Sequence, residues 1–473
     1  MAPPTLLMDL YELTMLAGYF EQGIHERHAT FDLYFREIPF HSGYAVAAGL
    51  DPALDYLEAL RFDEGDLDYL ESIHLFSGPF LAYLSSLRFR GTVTAAPEGT
   101  LVFPHEPIVT VEGPLAQAQV VETALLNIVN FQTLIATKAS RVVRAAAPAK
   151  VVEFGARRAQ GPDGALSATR AAAVGGVLTT SHLWAGKTFG LPVTGTQAHS
   201  WVMSFPCEIE AFRAYAAAFP DTCVLLVDTY DTLKHGIPNA IAIAKELESK
   251  GHKLSGVRID SGDLAYLSRE ARRLLDEAEL GYVKILASNE LDEHVIQSIR
   301  MEGGRVDLYG VGTRLSTGAG THGGALGGVY KLVRIDEEPK IKVSGDPSKS
   351  TLPGRKRVWR VTRPDGVFEM DVIALDGEAV GPGDEVFDPE HPLRHSSIPE
   401  DTKLEDLRSV AMVKGIRKVG SPALPAIAKR ASRELGCLPE GTLRFMNPHR
   451  YRVSLSPRLH ELRMRLIEEA RSG

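Results

Sequence analysis

Residues 224–263 read VLLVDTYDTLKHGIPNAIAIAKELESKGHKLSGVRIDSGD. An apolar run at 224–227 ends in the polar cluster Asp228-Thr-Tyr-Asp-Thr. A helix-like segment follows at 238–250. A second apolar run, 257–259, ends in Asp260-Ser-Gly-Asp263. Short apolar runs alternating with amphipathic segments predict parallel strands joined by crossover helices. The pattern extends both ways. Runs at 151–154, 191–193, 283–286 and 306–309 end in clusters at Arg157, Thr196, Ser288 and Gly312, so that six clusters lie 39, 32, 32, 28 and 24 residues apart. Further helices are predicted at 116–147, 264–279 and 291–302. The expected fold class is α/β, a parallel β/α sheet or barrel. Such folds place their chemistry at the C-terminal ends of the strands. One or two polar loops are ordinary solvated turns. Six in a row, carrying Arg, His, Asp and paired Gly, point to a site.

Outside this region the pattern changes. Helical segments at 6–22, 49–60 and 65–84 alternate with β-like pieces at 29–35 and 91–96. Pro97, Pro104, Pro107 and Pro114 then mark a boundary. After Tyr330 come β-like pieces at 329–335, 340–344, 357–362 and 367–374, with a basic loop at 348–356 and an amphipathic helix at 457–471. The expected domains are 1–115, 116–330 and 331–473. The first and last would share one domain, with the barrel inserted between them.

The 473 residues carry a net charge of −8, with 44% apolar and 24% charged residues, which excludes a disordered, collagen-like or coiled-coil chain. Net acidity argues against nucleic acid or an anionic membrane as partner. It leaves room for a small anion in one basic pocket. Cys207, Cys223 and Cys437 form no C-x-x-C pair, consistent with a reducing compartment and no structural zinc. No signal peptide and no membrane span are expected, so the expected location is the cytoplasm. The sequence holds no H-E-x-x-H motif, and any metal is expected to be Mg²⁺ held by carboxylates and phosphates.

Two stretches imitate known loops. Trp184-Ala-Gly-Lys187-Thr188 lacks the first glycine of a P-loop, because Ser181 stands there. Gly318-Ala-Gly320-Thr-His-Gly323 leaves no room for a crossover helix before the next β segment, so it is no dinucleotide fingerprint.

Four strand-end clusters belong together. Glu153-Phe-Gly-Ala-Arg157-Arg158-Ala-Gln160-Gly-Pro-Asp163-Gly supplies guanidinium forks suited to carboxylate or phosphate. Thr194-Gly-Thr196-Gln-Ala-His199-Ser200 supplies hydroxyls and a histidine. Asp228-Thr-Tyr-Asp231-Thr and Arg258-Ile-Asp260-Ser261-Gly-Asp263 supply carboxylates for ribose hydroxyls or Mg²⁺. Together they describe a pocket for a sugar phosphate or nucleotide.

These clusters also carry a resemblance. Asp9-Leu-Tyr11-Glu-Leu-Thr14-Met, the Glu153 cluster, Gly195-Thr-Gln-Ala-His199-Ser, Val257-Arg-Ile-Asp-Ser-Gly-Asp263, Gly310-Val-Gly-Thr and Thr351-Leu-Pro-Gly resemble the nicotinate phosphoribosyltransferase family, in that family's order and over nearly the whole chain. The resemblance implies transfer of phosphoribose from phosphoribosyl pyrophosphate (PRPP) to nicotinate, giving nicotinate mononucleotide and pyrophosphate. It implies an ATP-dependent, ligase-type reaction coupled through phosphorylation of His199, as the first step of NAD salvage from nicotinate. It implies an irregular, incomplete-type β/α barrel joined to an α/β sandwich built from the N-terminal and later segments, with Mg²⁺, no zinc, and a homodimer with the active site at the subunit interface.

The resemblance also implies roles. His199 is the phosphohistidine, an imidazole able to attack near neutral pH. Tyr11 from the partner subunit and Phe154 would flank the nicotinate ring, although ordinary core packing competes for both. Arg157 and Arg258 would face the nicotinate carboxylate or the ribose phosphate, in either order, and Thr196 would donate to the carboxylate. Asp228, Asp260 and Ser261 would meet ribose and Mg²⁺. Gly310, Gly312, Thr313 and Thr351 would contact phosphate. Lys349, Arg355 and Lys356 form either a solvated loop or a phosphate-closing lid. Asp228, Asp231, Glu208 and Glu210 are all candidates to orient His199. The rivals are a nicotinamide phosphoribosyltransferase, a sugar-phosphate barrel aldolase or lyase, and a non-catalytic nucleotide sensor. The stretch 180–185, Thr-Ser-His-Leu-Trp-Ala, holds no carboxylate to accept from an amide, which favours the acid.

Overall fold

The computed structural model describes residues 4–344, 350–391 and 393–472. Lys349 lies outside them. The chain divides into two compact units. One runs to Thr137 and resumes at Thr321; the other is Lys138–Gly320.

The Lys138–Gly320 unit is built on a five-stranded parallel sheet. Its spatial order is Lys150–Glu153, Leu308–Val311, Lys284–Asn289, Gly256–Ile259 and Val224–Leu226. Leu225, Val257, Ile285 and Val311 are fully buried on one face, and Leu226, Leu286 and Val152 are buried on the other. That burial on both faces explains why these strands read as continuous apolar runs. Beyond Glu153 the sheet continues only as single parallel bridges, Glu153 to Thr180 and Thr180 to Val193. The strand expected at 191–193 is therefore reduced to one bridge. Pro192 brings no N–H to a ladder, and its carbonyl accepts from Thr180.

Helices Ile237–Ser249, Leu264–Glu277 and Glu293–Met301 cross between the strands. Several cluster carboxylates are their caps. Asp263 accepts from the Tyr266 N–H, and Asp292 accepts from His294 and Val295.

In the other unit an antiparallel seven-stranded sheet interleaves early and late chain. Strand His28–Phe35 lies between Val109–Pro114 and Gly328–Ile335. A second, six-stranded sheet contains Lys356–Thr362 and Phe368–Leu375. The predicted helix 65–84 is two helices, Glu64–Ser72 and Gly78–Ser86. His74 at φ +52° interrupts it, and the Ser77 hydroxyl caps the second. Lys356 is neither solvated nor part of a lid. It is buried, with Nζ 2.8 Å from Asp32 Oδ2 and 2.8 Å from the Leu352 carbonyl. Arg355 pairs with Glu112 and Asp376 at 3.1 Å each.

Both unit limits differ from the sequence reading. The composition change near Pro114 marks the start of helical chain, not its end. Helix Glu122–Ala146 runs through the limit at Thr137. The segment Leu115–Ala146 is long and apolar enough to cross a membrane, but 67% of its apolar window is buried in the protein. Its sequence is that of a core helix.

The C-terminal part of that helix is anchored by charge. Glu293 receives Lys138 at 2.6 Å and Arg141 at 2.8 Å, all three at most 1% exposed. Opposing cations hold the Glu293 carboxyl below the usual range despite its burial. Removing one member of such a cluster strands the others, at a cost of about 3–5 kcal/mol. Glu293→Ala is expected to lower the urea midpoint accordingly. A midpoint equal to the parent would contradict this assignment.

Candidate functional site

At the C-terminal end of the parallel sheet lies a cavity of about 300 Å³, lined among others by Phe154, Arg157, Thr196, His199, Arg258 and Asp260. Its organising group is Arg258, one residue from the end of strand Gly256–Ile259. Nε donates to Ser288 Oγ at 2.8 Å, Nη1 to Thr196 Oγ1 at 3.0 Å, and Nη2 to Asp260 Oδ1 at 2.8 Å. The Ser288 hydroxyl donates to the same Asp260 oxygen. The guanidinium also sits 5.6 Å from the centre of the Phe154 ring, within cation–π range. A long, flexible side chain is thereby fixed from several sides.

Asp228 supports this arrangement from the neighbouring strand end. Its Oδ2 accepts from the Asp260 N–H at 2.9 Å and from the Ser261 hydroxyl at 2.6 Å. Its Oδ1 is buried and has no hydrogen-bond partner among the described residues.

His199 opens the short helix His199–Met203, and its side chain is 41% exposed. Nδ1 lies 3.1 Å from Thr229 Oγ1, and Nε2 lies 3.9 Å from Asp260 Oδ2. None of the four acids expected to orient it holds the ring. Asp228 is bonded to the 260–261 turn. Asp231 caps Leu233 and Lys234, which lowers its pKa. Glu208 is buried against Asn239 at 2.8 Å, and burial pushes its carboxyl up. Glu210 is exposed. A neutral threonine takes the position instead.

Phe154 owes its place to glycine. A Cβ on Gly310 would come within 2.6 Å of two Phe154 ring atoms. Gly310 sits inside strand Leu308–Val311, between Val152 and Ser288, so its backbone belongs to the sheet ladder. The expected phosphate contact at Gly310 is thus replaced by a packing role. Beneath Phe154, Glu153 is sealed by the Thr180 hydroxyl at 2.6 Å, the Thr169 hydroxyl at 3.2 Å and the Gly155 N–H. No carboxylate from the 180–185 stretch reaches the cavity, and Ser181 lines it there.

Arg157 is exposed on the turn Ala156–Arg158, with no side-chain partner among the described residues. Gly312 and Thr313 lie beyond the end of Leu308–Val311, where the Thr313 hydroxyl donates to Glu290 at 3.2 Å. Two expected site residues belong to the other unit. Tyr11 is 44% exposed on helix Leu10–Glu21. Partial burial and then the neighbouring Glu122 push its phenol up to about 12. Thr351 is buried, and its hydroxyl accepts the Lys342 N–H at 2.9 Å, an internal bracket and not an open phosphate contact.

Thr229 and Ser288 were not singled out from sequence, though both stand in the strand-end clusters. Gln197 was also missed. It lines the cavity, and both carboxamide atoms are buried without a partner among the described residues.

Three family models match the chain. The nicotinate phosphoribosyltransferase N-terminal domain covers residues 6–130, the family model 149–363, and the C-terminal domain 355–463. The chain belongs to the nicotinate phosphoribosyltransferase family. Among curated members, the nicotinate phosphoribosyltransferase of Bacillus subtilis is 44% identical, covering 98% of this chain and 97% of its own. The Homo sapiens protein of that name is 35% identical, covering 97% and 95%. The crystal structure of human nicotinic acid phosphoribosyltransferase superposes with a TM-score of 0.86 at 33% identity, covering 98% of this chain and all of that one. A nicotinate-nucleotide pyrophosphorylase from Pyrococcus furiosus shares the fold, with a TM-score of 0.72 at 22% identity.

In this family member the contact between Gly310 and Phe154 is directly testable. Gly310→Ala is expected to cost about 1–3 kcal/mol, as overpacking does. In the Phe154→Ala background the added cost should largely vanish. Full additivity in thermal unfolding would show that the two residues do not meet.

Proposed function

We propose that the chain transfers the phosphoribosyl group of PRPP to nicotinate, releasing pyrophosphate, with ATP hydrolysis coupled through phosphorylation of His199. The observation that carries the reading is the fixed Arg258 fork beside His199. A guanidinium held on several sides is pre-organised for an anion, because little side-chain freedom is lost on binding. The polar groups on the lip favour a carboxylate over an amide. Arg157 and Arg258 both line the cavity, whereas Asp260, the acid among its lining residues, is already bonded to Arg258. We read the parallel sheet, with its bridged edge, as an open barrel of the incomplete type.

In this reading nicotinate lies on Phe154 with its carboxylate toward Arg258 and Thr196. Tyr11 of a second copy covers the other face, making the working unit a homodimer. Arg157, exposed at the lip, takes a phosphate of PRPP. Gly312 and Thr313 are the remaining phosphate contacts on the strand ends. With Nδ1–H donating to Thr229, His199 Nε2 keeps its lone pair. That nitrogen attacks the γ-phosphorus of ATP, and the bond to the departing ADP oxygen breaks.

Mg²⁺ fits the acids present. Among the described residues no group of three or more His, Cys, Asp or Glu is arranged to hold a metal, as suits an ion held mainly by substrate phosphates. Asp228 Oδ1, buried and unpartnered, and the free side of Asp260 are the protein oxygens that would hold it. When bound, it would neutralise the leaving pyrophosphate. Asp260 and Asp228 lie where positive charge develops at the anomeric carbon and favour it. The setting we propose is cytoplasmic NAD salvage.

The test is product formation from PRPP with nicotinate or nicotinamide, with and without ATP. Nicotinate mononucleotide is expected, accelerated by ATP, with nicotinamide turned over poorly. His199→Ala is expected to lose ATP hydrolysis and ATP stimulation but to keep slow transfer. Efficient turnover of nicotinamide would overturn the assignment of the base. ATP stimulation that persists in His199→Ala would overturn the phosphohistidine.

A further inference from the structure

The opposite end of the same parallel sheet holds a second polar cavity, of about 330 Å³. Its lining includes Arg272, Lys284, Arg300, Arg305, Asp307 and Tyr309. Lys284 is the first residue of strand Lys284–Asn289, whose Ser288 holds Arg258 at the other end. At about 3.3 Å per residue, the two ends lie roughly 13 Å apart. The cavity is therefore separate from the site that contains His199.

Its charge balance is unusual for a chain of net charge −8. Four cations line it against one carboxylate. That carboxylate, Asp307, is already bonded to Lys284 at 3.2 Å and to the Ile285 N–H at 2.9 Å. Arg272 donates to the carbonyls of Val283 and Leu280 and pairs with Asp276, while its Nε is buried without a partner among the described residues. Arg300 donates to the Ala145 carbonyl at 2.8 Å. Arg305 is exposed, with no side-chain partner among the described residues. Burial pushes the Tyr309 phenol up to about 12 against the opposing pull of Arg300, so it remains a neutral hydrogen-bonding group. Asp307 and Asp276 offset Lys284 and Arg272, whereas Arg300 and Arg305 have no carboxylate partner among the described residues, so a bound anion relieves the repulsion between the remaining positive charges.

We propose that this cavity is a second anion site, which takes a pyrophosphate group, either free or as the polyphosphate tail of a nucleotide. Guanidinium forks match pairs of phosphate oxygens. The two positive charges left over after these pairs match a diphosphate better than a single carboxylate. The volume lies at the small end of ligand pockets, enough for the anion but not for a whole dinucleotide.

The test is calorimetric titration of the full chain with inorganic pyrophosphate, inorganic phosphate and ATP. Arg305 is exposed and unpartnered, so Arg305→Glu should leave the thermal midpoint unchanged. The wild type is expected to bind pyrophosphate at two classes of site, and Arg305→Glu at one. Arg258→Ala, which weakens the catalytic cavity, should retain the class that Arg305→Glu removes. Affinity there should fall steeply with salt, and phosphate should bind at least tenfold more weakly. ATP competing for that class would point to a nucleotide tail, and lack of competition to free pyrophosphate; both support the site. Unchanged pyrophosphate binding in Arg305→Glu would overturn the proposal, as would the absence of a saturable site in Arg258→Ala. Neither result bears on turnover of nicotinate, so failure here is distinct from failure of the proposed reaction.

Discussion

The guanidinium of Arg258 ties its own strand end to two others that the chain keeps far apart. It reaches Thr196 on one loop, Ser288 on the next strand and Asp260 two residues ahead. A cation in this position needs its partners. Losing Asp260 would leave a half-buried charge facing only hydroxyls. Asp260 is in turn set by Asp228, which holds its N–H and the Ser261 hydroxyl. The next residue, Thr229, meets His199. Arg258, Thr196, Ser288, Asp260, Asp228 and Ser261 thus form one hydrogen-bonded network, and the His199–Thr229 pair adjoins it through the chain. The sheet supplies the spacing, and Gly310 lets Phe154 lie flat enough to support the guanidinium from below.

The parallel sheet was legible in the sequence because its strands are buried on both faces. Val224–Leu226 is apolar throughout, Gly256–Ile259 is interrupted only by Arg258, and each is followed by acid and hydroxyl residues. Charged members of the site were legible for a related reason. Arg157, His199, Arg258 and Asp260 are residues that a sheet end does not need for its own stability. Phe154, Thr196 and Ser261 were legible only through the motifs around them, and Thr229 and Ser288 carry no signal of their own until the fold sets them against His199 and Arg258.

Other misreadings have the same physical origin. Lys356 sits in a basic, proline- and glycine-containing stretch that looks solvated, yet Asp32, more than three hundred residues earlier, draws it into the interior. Gly310 looks like a phosphate-loop glycine, but it is required by the ring that packs on it. Asp263 looks like a ligand and is a helix cap. The division between units was hidden because a continuous helix passes through it. Local composition reports where an element begins; only packing decides which core it joins.

An acidic chain that concentrates guanidinium groups in small cavities is suited to anions of defined shape more than to polyanions at large. At the C-terminal end of the sheet the fixed fork is the proposed discriminating element, and the proposed function stands on its preference for a carboxylate over an amide. The most direct measurement is equilibrium binding of nicotinate and of nicotinamide to the wild type and to Arg258→Gln. A hydrogen bond to a charged group contributes about 1.5–3 kcal/mol, or roughly 10- to 150-fold. The account predicts that nicotinate affinity falls by about that factor, nicotinamide affinity changes little, and the preference for the acid collapses. Parallel losses for both ligands, with the preference intact, would contradict it.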